Sequence, residues 1–174
     1  MSNFLDLSFN IIYNIFMDDL SLAIKTLECD GELTCVLRKE KSEYTSKKRG
    51  ITPLVEFIDD ENDYCGYSAA DRIVGRAAAL LYVLLGVKEV YAEVMERAAT
   101  EVFEKHGVKC RHKELAEMII NRSGTGPCPM EIATRGVDDP EKALCLVKQK
   151  LEELNQSILN PNSVVSRELR LLLR

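Results

Sequence analysis

The sequence predicts an α/β domain, a three-layer α/β/α sandwich with a mixed sheet. Helix and strand signals alternate along most of the 174 residues, a pattern typical of a sheet packed between helices. An Asp-Gly pair between two apolar runs near the start predicts a β-hairpin, so we expect antiparallel as well as parallel strands. The stretch Ser68–Met95 combines a helix signal, a glycine stop and a strand signal, and we expect it to form the centre of the domain.

This central stretch is interpreted as a buried helix followed by a strand. Ser68 is the expected N-cap, with Asp71 three residues later as in a capping box. The residues that follow are apolar on nearly every side, as in a helix with no solvent face, and Gly75 would let another backbone approach closely. Gly86 is the expected left-handed stop, and Val87–Met95 is rich in Val and Tyr, as strands are.

The elements before the centre follow from local signals. In chain order, the sequence predicts an N-terminal helix over Phe4–Met17, a hairpin of Leu20–Glu28 and Leu33–Leu37 that turns at Asp30-Gly31, a charged loop over Lys39–Arg49, and a helix near Thr52 and Pro53 that ends at about Asp59.

The elements after the centre are predicted in the same way. They are a helix over Glu96–His106 that buries Ala99, Val102 and Phe103 and stops at Gly107, a short strand over Val108–Arg111, a turn-rich loop over Asn121–Glu131 that leads into a helix, a helix from Asp139-Pro140, and a tail over Ser163–Arg174.

Composition limits the classes of function. With 46% hydrophobic and 29% charged residues, the chain can bury the core of one domain, which we assign to residues 20–157 between a helical extension (1–19) and a tail (158–174). The net charge of -5 argues against general nucleic-acid binding. No apolar run is long enough to span a membrane, no secretory signal begins the chain, and six scattered cysteines without a CxxC motif favour reduced thiols and a cytoplasmic location.

Cys128 and Glu131 are the first candidates for chemistry. Pro129 fits the first position of a helix, which puts Cys128 at the N-cap and Glu131 one turn on. Backbone N–H groups and the helix dipole would stabilise a thiolate there, and Glu131 could act as a general acid or base. The more ordinary interpretation is a tight turn with a small buried cysteine and a capping glutamate.

The remaining candidates are polar side chains and glycines. Asp71 at the start of a buried helix would be partly desolvated, with a raised pKa, although a capping role is at least as ordinary. Asn121 and Arg122 could bind a polar ligand. The simpler alternatives are that Asn121 stabilises a turn and that Arg122 is solvated. The other expected ligand-binding positions are Thr125, Gly126 and Gly75, with Lys48 and Arg49 beside a helix N-terminus for an anion such as phosphate; a solvated charged turn is the favoured alternative for the basic pair.

Metal and nucleotide-cofactor motifs are missing. His106 and His112 are the two histidines, and Pro127-Cys128-Pro129-Met130-Glu131 lacks the second cysteine of a zinc-deaminase P-C-x-x-C element. P-loop and dinucleotide fingerprints are also missing. We therefore expect no metal and no cofactor.

Four stretches together resemble an uncharacterised domain-of-unknown-function family that is grouped with the cytidine-deaminase-like fold. They are Gly50–Leu54, Asp71–Ala79, the strand Val87–Val94 and Asn121–Glu131, in that order over most of Leu20–Leu154. The resemblance implies a three-layer sandwich and a ligand pocket near the N-terminus of the central helix. It does not imply deaminase activity, because the zinc ligands have no counterparts.

Two functions stay open. The first is a zinc-independent, metal-independent enzyme or ligand-binding domain, in which Asp71, Asn121, Cys128 and Glu131 line a pocket for a small polar, nucleotide-like molecule. It predicts that Cys128 reacts with iodoacetamide faster than the other cysteines. The second is a non-catalytic scaffold or interaction module that works through its terminal extensions, including homo-oligomer formation.

Overall fold

The computed structural model describes residues 17–159, which form a five-stranded mixed sheet with helices on both faces. The strands are β1 (Cys35–Lys39), β2 (Ser42–Ser46), β3 (Ser68–Val74), β4 (Glu89–Glu96) and β5 (Lys109–Ala116). The helices in this part of the chain are α1 (Asp19–Cys29), α2 (Thr52–Asp59), α3 (Arg76–Leu84), α4 (Arg97–His106), α5 (Pro129–Ala133) and α6 (Pro140–Leu159). The predicted α/β class and mixed sheet are confirmed.

The strand order is β2-β1-β3-β4-β5. Strand β1 is antiparallel to both β2 and β3, whereas β3, β4 and β5 run parallel. The last residues of the three parallel strands, Val74, Glu96 and Ala116, therefore meet at one edge of the sheet, which we call the carboxyl edge. Ligands of open α/β sheets bind at the carboxyl ends of the strands, so a ligand-binding site is expected at this edge.

Helix α3 is the buried centre of the larger core. Helix α1 packs on β1 and β3 from one side of the sheet and encloses a small core around Leu27, Val36 and Ala70. Helices α3 and α4 cover the opposite side, and α6 packs on α3 from outside. Every side chain from Ala77 to Tyr82 is buried as a result, which accounts for the absence of a polar stripe on this helix.

The prediction that a helix begins at Ser68 is wrong. Ser68–Val74 is strand β3, and the helix begins at Arg76 with Gly75 as its N-cap. The Ser68 hydroxyl donates a hydrogen bond to Glu89 Oε1 at 2.8 Å and caps nothing. Ser68 and Asp71 have the spacing of a capping box, and a short run that mixes polar and apolar residues does not by its periodicity distinguish a strand from the start of a helix.

The predicted hairpin at Asp30-Gly31 is also wrong. Leu20, Ala23 and Leu27 are buried at helical spacing along α1, whose N-cap Asp18 accepts a hydrogen bond from the Ser21 N–H. Asp30-Gly31 connects this helix to β1. The hairpin of the structure is β1–β2, and its turn and second strand lie in the predicted charged loop Lys39–Arg49, which therefore contains an exposed edge strand.

Several local predictions are confirmed. Gly107 ends α4 in the left-handed conformation, with φ 70°, the helix near Pro53 ends at Asp59, and Asp139 accepts hydrogen bonds from the first N–H groups of α6. Strand β5 continues to Ala116, five residues further than predicted. The predictions for Phe4–Phe16 and Ser163–Arg174 lie outside the described residues.

Two further findings concern residues 17–159. None of the helices there is both long enough and apolar enough to cross a membrane. All six cysteines fall in this range, and each is a free thiol.

Candidate functional site

The closest contact at the carboxyl edge joins Gly75 to Glu131. Gly75 connects β3 to α3, and both carboxylate oxygens of Glu131 accept from the Ala77 N–H in the first turn of α3, at 3.2 and 3.3 Å. A Cβ built on Gly75 would overlap Glu131 Oε1 and lie 2.8 Å from its Cδ. The carboxylate therefore occupies the space that the missing side chain leaves, and α5 presents Glu131 to the N-terminus of α3.

A second carboxylate, Glu96, lies beside the first. It is the last residue of β4, is 7% exposed, and its Oε2 accepts from the Arg76 N–H at 2.9 Å. Arg76 and Ala77 thus donate adjacent N–H groups to two different glutamates. The positive end of the helix dipole favours negative charge at this position, but two ionised carboxylates here also repel each other.

This environment changes the acidity of the Glu131 carboxyl group. Burial and the neighbouring charge of Glu96 raise the pKa of the Glu131 carboxyl to about 7, against the hydrogen bond from Ala77. A group with a pKa near neutrality is present in both its acid and its base form at physiological pH. It can therefore donate or accept a proton, as general acid–base catalysis requires.

Arg76 holds the surrounding backbone in place. Its guanidinium donates to the Thr134 carbonyl oxygen at 3.1 Å and forms an ion pair with Asp138 at 2.6 Å. These contacts tie the segment between α5 and α6 to the first turn of α3. The side chain is 17% exposed, so this arginine acts as an internal clamp.

Asp71 belongs to a second cluster, under the middle of α3. The Tyr82 hydroxyl donates to Asp71 Oδ2 at 2.7 Å, and Cys35 Sγ lies 3.2 Å from the same hydroxyl oxygen. Because the single Tyr82 proton points to Asp71, the Cys35 S–H is the donor to Tyr82. Asp71 Oδ1 accepts from the Ile73 N–H at 3.0 Å. The cluster is a chain of hydrogen bonds from a buried thiol to a carboxylate.

Burial raises the pKa of all three groups in this cluster. It raises the pKa of the Asp71 carboxyl to about 6, with the hydrogen bond from Tyr82 acting in the opposite direction. It also raises the pKa of Tyr82 and of Cys35 well above their usual values, so both keep their protons. The expectation of a raised Asp71 pKa is thus consistent with the structure, although the carboxylate lies on a strand and not at a helix N-terminus.

We expect Asp71→Asn to remove part of the pH dependence of stability. The folded-state pKa exceeds the unfolded value of 3.8, so the free energy of unfolding falls as the pH rises through about 4 to about 6 and levels off above that. The asparagine variant lacks this fall and should be about 1 to 2 kcal/mol more stable than wild type at pH 7, a discounted figure because Asp71 is partly exposed. Urea unfolding across this pH range measures it.

The control is Asp63→Asn. Asp63 is exposed and, like Asp71, accepts a backbone N–H bond, from Cys65 at 2.9 Å. This variant should show the wild-type pH profile. Equal profiles for Asp71→Asn and wild type would contradict a raised Asp71 pKa.

Cys128 is the N-cap residue of α5, as predicted, but its thiol makes no capping hydrogen bond. Helix α5 has five residues, and the thiol is partly buried against the larger core. Cys128 and Glu131 lie one turn apart on this helix. Faster labelling of Cys128 by iodoacetamide than of the other cysteines stays a prediction.

The predicted ligand-binding loop is held mainly by hydrogen bonds among its own residues. Asn121 Oδ1 accepts from the Thr125 N–H and from the Ser123 hydroxyl, each at 3.0 Å, and the Asn121 N–H donates to the Gly126 carbonyl oxygen at 2.8 Å. Asn121 and Thr125 thus hold the turn together. Their ligand role stays a prediction, and turn geometry accounts for the contacts that the structure describes.

The same loop bridges two parts of the molecule. Ile119 Cγ1 lies 3.2 Å from the Cβ position built on Gly75, and the exposed Arg122 places Nη2 3.4 Å from that built on Gly50. Gly50 directly follows Lys48 and Arg49. Lys48 forms an ion pair with Glu56 at 2.5 Å, and Arg49 is exposed.

The predicted residues therefore fall into separate groups. The structure brings together Gly75 with Glu131, and Arg122 with the loop that carries Lys48 and Arg49. Asp71 lies four residues before Gly75, roughly 13 Å along a strand, and makes its contacts elsewhere. Whether one ligand touches all of them stays a prediction.

Sequence reasoning missed Glu96 and Tyr82. The signal for Glu96 was a glutamate directly after the predicted strand Val87–Met95, where a carboxylate reaches the edge of the sheet. The signal for Tyr82 was a tyrosine within a wholly apolar helix, because a buried hydroxyl needs a hydrogen-bond partner.

Within residues 17–159, no three His, Cys, Asp or Glu side chains come close enough together to hold a metal ion. An open depression of about 440 Å³ lies at the other end of α3, lined by Val83, Leu84 and Asp139–Glu141. It contains neither cluster. The perturbed carboxyl groups therefore mark the candidate site better than this depression does.

Comparisons with known proteins give one family. A family model described as "TM1506: Domain of unknown function (DUF1893)" matches residues 23–151. The crystal structure of a DUF1893 family protein from Thermotoga maritima is 26% identical, with a TM-score of 0.69, and the match covers 76% of this chain and 89% of that chain. No curated protein matches the chain. The matched residues 23–151 include both carboxylate clusters.

Proposed function

The chain belongs to the DUF1893 family, whose domain is of unknown function, and we propose from the geometry of the carboxyl edge that this domain binds a small polar, nucleotide-like ligand there, with Glu131 as the group that exchanges a proton with it. The observation that carries this proposal is the Glu131 carboxyl, held in the first turn of α3 with a pKa near 7. Perturbed carboxyl groups cluster at functional sites more often than elsewhere. The reaction would need no metal, and the cytidine-deaminase-like fold is part of the same proposal.

The loop after β5 supports the choice of a nucleotide-like ligand. It contacts Gly75 through Ile119 and Gly50 through Arg122, and three residues of chain span at most about 10 Å. Exposed guanidinium groups at Arg49 and Arg122 suit an anionic group such as phosphate. The polar head of the same ligand would then reach Glu131.

We expect Glu131→Gln to weaken ligand binding about tenfold or more, because it removes the charged hydrogen-bonding partner. A thermal-shift screen of nucleotides, nucleosides and sulfur donors on the wild-type protein identifies a ligand by a raised midpoint. Titration of that ligand into the variant then gives the loss.

The matched control is Glu117→Gln. Glu117 directly follows the last residue of β5, and its exposed carboxylate forms an ion pair with Arg97 at 2.7 Å. This variant should bind as the wild-type protein does. A ligand that binds wild type and Glu131→Gln equally well would contradict the role of Glu131.

The alternative is a non-catalytic interaction module. It is favoured by large apolar side chains that are more than half exposed on segments leading to or from the carboxyl edge: Ile73, Met118, Ile120 and Ile132. Exposed apolar surface of this kind suits a protein partner. Under this alternative the ligand screen stays empty. Homo-oligomer formation and a cytoplasmic location stay predictions.

A further inference from the structure

The two glutamates at the carboxyl edge share a crowded position. Glu96 reaches it from the end of β4 and Glu131 from the first turn of α5. The two carboxyl groups accept hydrogen bonds from neighbouring backbone N–H groups, those of Arg76 and Ala77, so two ionised carboxylates there would repel each other. The backbone supplies only the Arg76 and Ala77 N–H groups.

We propose that Glu96 is a positioning residue for Glu131, and that the two carboxyl groups hold one proton between them at neutral pH. The shared proton removes the repulsion of two adjacent carboxylates, which is the usual outcome when two acids occupy one half-buried position. The shared proton requires no ligand, but its use as an acid toward one rests on the proposed function.

The neighbouring charges leave this proton in place. From α3, Arg76 lowers the pKa of Glu131, but less than burial and Glu96 raise it, and its guanidinium is turned to Thr134 and Asp138. From α4, Arg97 pairs with Glu117 and Lys105 pairs with Asp138. The loop after β5 contributes the apolar Ile119, and α5 itself contributes the Cys128 thiol. Arg76, Arg97 and Lys105 are thus each paired with another acid.

Carbon-13 NMR of the glutamate carboxyl groups tests this proposal on the full-length chain. In the wild-type protein Glu131 should titrate with a midpoint of about 7. Glu96→Gln keeps an oxygen for the Arg76 N–H but removes the charge, and should lower the Glu131 midpoint by about one pH unit or more. Glu117→Gln removes a charge from the same edge and should leave the midpoint unchanged.

A Glu131 midpoint that stays within a few tenths of a pH unit in Glu96→Gln would overturn the proposal, because a merely structural Glu96 would not move it. If Glu96→Gln does not fold, Glu96→Ala serves instead, because it also removes the neighbouring charge and should lower the Glu131 midpoint. A shifted midpoint together with an empty ligand screen would retain the shared proton and reject the proposed function. An unchanged Glu131 midpoint together with a ligand that binds would reject the shared proton and leave the proposed function standing.

Discussion

Gly75→Ala is expected to lower the free energy of unfolding by about 2 kcal/mol, which is the usual cost of overpacking. The backbone does not forbid alanine, because Gly75 has φ -91° and ψ 179°, an extended conformation. The cost comes from the Glu131 carboxylate, which the new methyl group would overlap. Chemical denaturation measures the loss, and the same variant should lose ligand binding because Glu131 is displaced from the Ala77 N–H.

A double-mutant cycle isolates this contact. In a Glu131→Ala background the overlapping atoms are gone, so Gly75→Ala should cost about 0.5 kcal/mol or less, whereas Glu131→Gln keeps the same volume and should not relieve the clash. Gly126→Ala is the control glycine, since its added Cβ would lie 3.9 Å from its nearest neighbour, Asn121 Nδ2. An equal cost in both backgrounds would show that Glu131 does not fill the space at Gly75.

Arg72→Met is expected to lower the free energy of unfolding by about 3 kcal/mol, because a charged hydrogen-bond donor with several buried partners is lost. Its guanidinium donates to the carbonyl oxygens of Leu27, Asp30 and Leu33, at 2.6, 3.2 and 3.0 Å, and forms an ion pair with Glu93. The contacts with Leu27 and Asp30 satisfy carbonyls at the end of α1 that have no partner within the helix. Urea unfolding measures the loss.

Arg38→Met is the matched control for this variant. Arg38 is as little exposed as Arg72, at 22% against 24%, but it forms one ion pair, with Glu43. Its Nε is buried without a hydrogen-bond partner among the described residues. We therefore expect a cost below about 1 kcal/mol. If the two variants lose the same amount, the backbone contacts of Arg72 contribute little.

The sequence was sufficient for elements whose signals are local. Gly107 ends α4 because a single glycine is enough to adopt the left-handed conformation. Pro129 and Pro140 likewise mark helix starts by their own residue type. Strand β3 and helix α1 were assigned wrongly because their types depend on what covers them. Ser68–Val74 mixes apolar residues with Ser68, Asp71 and Arg72, so it fits a capped helix start as well as a strand. Asp30-Gly31 likewise fits a helix exit as well as a hairpin.

The candidate site was predictable in residue type but not in arrangement. Gly75, Asp71 and Glu131 were named from capping and turn patterns, yet Gly75 and Glu131 are 56 positions apart in the chain, and only the crossing of α5 over α3 brings them into contact. Glu96 was missed because its partner is the first turn of a helix that follows a different strand. Such pairings belong to the tertiary fold, which one sequence does not reveal.

The elements that carry the candidate site differ in burial, because the edge strand β5 is exposed. Six of its eight residues are exposed, whereas β3 and α3 lie in the interior. Local opening in proteins begins where few apolar contacts hold the backbone. Gly75 therefore lies in the buried part of the molecule, while the segment that delivers Glu131 follows an exposed edge strand, which we expect to open more readily than the interior. Brief excursions of that outer segment would uncover the carboxylate to incoming solutes without unfolding the interior.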